Sequence, residues 1–137
     1  MLRRMRVVIG IVVVLHLLGA AAIIGPWLAA PRSGRIRMAM VWGARAQVVT
    51  GIVLVGLHEM SSDSSDPLNR TKIGVKLVVA LACAACAEIA NGRQRRALAA
   101  AADGAGGTAT VTLPATGLVH ATALLAILNV CIAVLWT

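Results

Sequence analysis

Residues 7–30, VVIGIVVVLHLLGAAAIIGPWLAA, run for 24 positions without a Lys, Arg, Asp or Glu. A helix rises 1.5 Å per residue, so this stretch reaches roughly 36 Å, enough to cross a hydrocarbon core about 30 Å thick with some tilt. It reads as a membrane span, and lipid then becomes the solvent against which the rest of the chain is interpreted.

The totals agree with that reading. Of 137 residues, 59% are hydrophobic and only 13% charged, whereas a soluble domain carries about a quarter charged residues. The mean hydropathy is +0.87. One integral membrane domain over residues 1–137 is expected. Phe and Tyr are absent and Trp occurs three times, which leaves no aromatic surface for stacking bases. The excess of 13 Lys and Arg over 5 Asp and Glu sits at span boundaries. There it sets topology and meets anionic headgroups, so no nucleic-acid partner is expected. Cys83, Cys86 and Cys131 lie in apolar runs, which excludes a secreted disulfide scaffold. The first apolar run is longer than a cleavable signal needs.

Three further spans follow, at about residues 38–58, 71–91 and 114–136. The expected fold is all-α: a four-helix transmembrane bundle of two antiparallel hairpins. The turn PRSGRIR (31–37) is short enough to make spans 1 and 2 antiparallel neighbours. The loop HEMSSDSSDPLNR (58–70) is polar and solvated, and Asn69 or Thr71 suits the cap of the next helix. The connection 92–114 is Gly- and Thr-rich towards its end, while Ala97–Ala102 is able to prolong helix 3. Pro26 is expected to kink or close span 1. Trp27, Trp42 and Trp136 are read as anchors at the membrane interface. Ala21 with Gly25, and Ala80 with Ala84 and Ala87, have the small-residue spacing that lets helices approach closely in lipid. Arg3, Arg4, Arg6, Arg70 and Lys72 lie on one side. Arg32, Arg35, Arg37, Arg93, Arg95 and Arg96 lie on the other, which together with the acidic second loop places the termini outside a cell membrane.

Ionisable groups inside spans are the first place to look for chemistry, because each is costly in hydrocarbon unless paired. Arg45 and Glu88 enter from the same face, and an ion pair between them is expected; Lys76 and Glu59 form a fainter version at the other end. His16 lies near the middle of span 1 and His120 near the start of span 4, about 8 Å apart along the normal by helix rise. They are candidate haem or metal ligands, although packing against a neighbouring helix explains each more simply. Cys83-x-x-Cys86 is a candidate copper or redox pair, but it sits inside an apolar helix without the dipole that stabilises a thiolate, so a packing role is preferred. Gln47 with Thr50, and Asn129 with Thr122, read as interhelical hydrogen bonds. No phosphate loop, Ser/His/Asp set, paired carboxylates or selectivity filter is present in the sequence, so no enzymatic activity and no cofactor are expected.

The strings HLLGAAAIIGP, WGARAQVVTG and KIGVKLVVAL and the overall layout resemble small actinobacterial four-helix membrane proteins. They are similar in particular to the supercomplex association factor, an accessory subunit of the respiratory cytochrome bcc–aa3 assembly. The resemblance implies a non-catalytic accessory or assembly subunit with lipid and larger respiratory membrane subunits as partners. It transfers no functional residue. The alternatives are a haem- or copper-binding membrane protein and a minimal oligomeric transporter.

Overall fold

The computed structural model describes residues 2–61, 67–103 and 115–135. They form four helices: α1 (Leu2–Ala29), α2 (Met38–Ser61), α3 (Pro67–Asp103) and α4 (Thr116–Leu135). All four are long and apolar enough to cross a membrane. The protein is an all-α, four-helix bundle of multi-pass membrane type. Trp136, Pro114 and the loop centre at 62–66 lie outside the described residues.

The helices exceed the expected spans where propensity favours it. α1 begins at Leu2 because the Arg-rich start is itself helix-forming and its long side chains reach water from the helix end. Pro26, which lacks an amide proton, lies in the last turn, and α1 ends three residues later at Ala29. α3 continues past the expected end at Asn91 through Arg93, Arg95, Arg96 and the Ala run to Asp103. At 37 residues it is roughly 55 Å long, well beyond the bilayer core.

Neighbours follow chain order around a ring, α1 on α2, α2 on α3, α3 on α4, with α4 returning to α1 by the sparsest contact. Cross-contacts establish the direction. His16 meets Thr50 while Ile23 lies against Gly43, so α1 and α2 run antiparallel. Arg45 meets Glu88 and Ile36 meets Gln94, so α2 and α3 do too. The bundle thus has two ends. The terminal end holds the start of α1, the last turns of α2 and α4 and the start of α3. The loop end holds the α1–α2 turn, the end of α3 and the start of α4.

Close packing belongs to the loop half. The contiguous core contains Ile23, Met40, Val41, Ala87, Ala90 and Val119. Its centre is a backbone-to-backbone approach of Gly19 and Gly43: a Cβ on Gly43 would lie 2.7 Å from the Gly19 carbonyl oxygen, and one on Gly19 would lie 3.2 Å from that of Gly43. The small-residue seam between α1 and α2 therefore passes through Gly19, not through Ala21 and Gly25. Both of those are exposed, and a Cβ on Gly25 would meet nothing within 4 Å. The reason is that α1 is apolar all round, so its pattern leaves the buried side undetermined. In α3 the Ala stripe does face inward, with Ala80 and Ala87 buried and Ala84 half-buried.

The α1–α2 turn is tied down on two sides. The Gln94 side chain accepts from the Ile36 amide and donates to the Ile36 carbonyl, both at 3.0 Å. Gly34 adopts φ +60°, a left-handed conformation that a side chain disfavours. It also lies so close to Thr116 that a Cβ would fall 2.5 Å from the Thr116 hydroxyl oxygen.

Candidate functional site

Below Gly19 the helices separate. At the terminal half they surround a cavity of about 380 Å³ to which all four contribute, within the range of small-molecule sites. Its walls are mostly apolar, with Leu54, Leu77 and Val130 among them, and buried Ala20 and Ala80 also line it. Four polar side chains line it: His16, Gln47, Lys76 and Asn129, one from each helix.

Hydrogen bonding assigns their roles. The Thr50 hydroxyl donates its single proton to the Ala46 carbonyl at 2.6 Å. Its oxygen, 2.7 Å from His16 Nδ1, therefore accepts, and Nδ1 carries the proton. Nε2 is left with a lone pair and has no protein partner among the described residues. Gln47 Nε2 donates to the His16 carbonyl at 2.9 Å, which orients the amide and leaves Oε1 buried without a partner. Asn129 Oδ1 is likewise buried and unpartnered. Lys76, half-buried, faces no carboxylate among the described residues; the side chain of Glu59, its expected partner, lies outside them. The cavity therefore combines one cation with three unused acceptors. Two of these acceptors, Gln47 Oε1 and Asn129 Oδ1, are buried; buried polar atoms without partners are uncommon in folded proteins and each costs free energy, so the pair beside one void marks this place in the molecule.

The loop half holds a different set. Trp27 Nε1 donates to His120 Nδ1 at 2.8 Å, with the rings edge-on at 6.0 Å. His120 is thereby the tautomer protonated on Nε2, the reverse of His16. On the outer surface Arg45 Nε donates to Glu88 Oε1 at 2.5 Å, with the two side chains 48% and 43% exposed. The same guanidinium lies 5.0 Å from the centre of the exposed Trp42 ring, a cation–π arrangement. Cys83 donates its thiol proton to the Thr122 carbonyl at 3.2 Å.

Several candidates thus separate. His16 and His120, paired in the sequence reading as possible ligands, occupy different halves and have different partners. Cys83 is buried and engaged, whereas Cys86 is half-buried. No group of three His, Cys, Asp or Glu suited to a metal occurs among the described residues. Trp27 serves as a hydrogen-bond donor to His120 inside the bundle, while Trp42 remains on the surface. Gln47 and Thr50 both bond to α1 as expected, whereas Thr122 donates within its own helix and Asn129 Oδ1 has no partner. The cavity itself was not foreseen. Its signal was the depth that His16, Gln47, Lys76 and Asn129 share once the antiparallel register is known.

Comparison with family models, with curated proteins and with solved structures finds no match to this chain.

Proposed function

We propose that the chain is a non-catalytic accessory or assembly subunit of a larger membrane complex. The respiratory bcc–aa3 assembly is the partner that the sequence resemblance suggests. In this reading the chain resides in the cell membrane, crosses it four times and keeps both termini outside.

The observation that carries the reading is the lateral Trp42–Arg45–Glu88 group. Met38 to Arg45 is seven residues of helix, so Arg45 lies roughly 10 Å along α2 from its start. An ion pair half-exposed at that depth is expensive against hydrocarbon and becomes stable when a second protein offers polar groups over it. A further support is the outward Ala21–Gly25 step of α1, which the bundle itself does not use. A small-residue step free on a helix face is where another transmembrane helix packs.

The test is native purification of tagged protein from its own membrane. A large membrane assembly is expected to co-purify, and Gly25→Leu and Glu88→Ala are expected to release it while the isolated chain keeps its helix content. Recovery of the wild-type chain alone, or complexes indifferent to both substitutions, would overturn the proposal. Labelling of single cysteines placed in the N-terminal tail and in the α1–α2 turn tests the orientation; access from outside is expected for the tail only.

A further inference from the structure

Beyond any subunit role, we infer that the cavity in the terminal half is a binding site for a single-chain amphiphile whose head joins an acidic group to a free hydroxyl. The inference stands on the cavity's own groups and is independent of the partner proposed above.

The polar inventory selects the head. Lys76 supplies a cation with three donors and, among the described residues, no anionic neighbour. An acidic group suits this cation, since an ammonium–anion hydrogen bond is among the strong ones. Gln47 Oε1 and Asn129 Oδ1 are buried acceptors without donors, and His16 Nε2 is a third acceptor because Thr50 holds the proton on Nδ1. An anion alone would leave these three unsatisfied and would sit uncomfortably beside them. A hydroxyl next to the acid donates to them while the acid meets Lys76. An acid without a hydroxyl, or a hydroxyl without an acid, satisfies only part of the site.

The dimensions select the tail. A volume of about 380 Å³ equals roughly a dozen waters at about 30 Å³ each. That accommodates a small head and the first carbons of one chain. The rest has a way out. Leu17 of α1 and Val134 of α4 line the cavity and are also 55% and 65% exposed, so the void reaches the outer surface between these two helices. Theirs is the sparsest seam of the ring, and an acyl chain leaving there enters lipid.

Binding of three labelled probes to the purified chain in nanodiscs tests the site. They are palmitoyl lysophosphatidate, with acid and hydroxyl; palmitate, with acid only; and monopalmitoylglycerol, with hydroxyls only. Saturable binding of one lysophosphatidate per chain is expected, with each of the other probes weaker by roughly tenfold, the scale of one charge-assisted or buried hydrogen bond. Lys76→Met should bring lysophosphatidate down to the level of monopalmitoylglycerol and leave the latter unchanged. Asn129→Leu should weaken lysophosphatidate and leave palmitate unchanged. Ala133→Trp, at an exposed position on the cavity wall, should block all three without disturbing the core. Absence of saturable binding, equal affinity for the three heads, or indifference to Lys76→Met or to Ala133→Trp in a variant that still elutes as a folded helical protein would overturn the inference.

Discussion

The loop half and the terminal half of this bundle are continuations of the same four helices, yet one is closed and the other hollow. In the loop half, Gly19 and Gly43 bring two backbones into contact, Ala87 and Ala90 are buried, and Gln94 and Gly34 tie the connecting turn to α3 and α4. In the terminal half, larger residues such as Leu17, Leu54 and Leu77 line the gap and four polar side chains face it. The contrast shows what closes a helix bundle in lipid. Apolarity does not, because hydrocarbon solvates Leu as well as another helix does. Small residues at the crossing and complete hydrogen bonding do.

Substitutions in the two halves should therefore behave in opposite ways. The largest effect is expected for Gly43→Val, whose branched side chain collides with the Gly19 backbone. It should cost about 3 kcal/mol, read as a loss of folded monomer on unfolding in detergent. Gly25→Ala, with open space around it, should stay within about 0.5 kcal/mol of the parent. A similar cost for both would erase the distinction between the used and unused glycine.

Next comes Gln94→Leu, which leaves the amide and the carbonyl of buried Ile36 unpaired and should destabilise by about 2 kcal/mol. Gly34→Ala should cost about 1.5 kcal/mol, since the left-handed conformation and Thr116 both oppose a side chain. In that variant the turn amides should also exchange faster with deuterium. In the hollow half the sign reverses. Asn129→Leu removes a buried oxygen that has no partner and should be neutral or stabilising by up to about 1 kcal/mol. A clear loss of stability there would mean that Asn129 is satisfied and the terminal half is less open than described.

The smallest effect is expected on the outer surface. Arg45→Ala, Glu88→Ala and the double variant should melt at the same temperature in detergent, slightly below the parent, because each single change already breaks the pair. Additive shifts would show that the two side chains act separately.

Much of this architecture was legible from composition and run length. Spans 1 and 4 follow from uncharged runs longer than a bilayer requires. α2, with a short apolar core interrupted by Arg45, depended on its flanks, and α3 outran its hydropathy because an Ala run keeps a helix going in water as well as in lipid. The Arg45–Glu88 contact was anticipated because two charges entering from one face of a hairpin have few other partners. What was misread was rotational. Ala21 and Gly25 offered the right spacing, but Gly19 offered the right side, and a helix greasy on every face carries no signal to distinguish them. His16 and His120 were similarly close by rise arithmetic, yet each was taken by a neighbour that the one-dimensional pattern cannot reveal.

Sequence alone determined that four stretches favour a lipid environment, because the free energy of transferring some twenty apolar residues depends on their composition and not on what they touch. Tertiary structure alone decided which faces meet, which tautomer each histidine adopts and where the void falls. Those outcomes depend on crossing distances and the direction of single hydrogen bonds, and a glycine opposite a glycine or an amide facing an empty space exists only once the helices have been brought side by side.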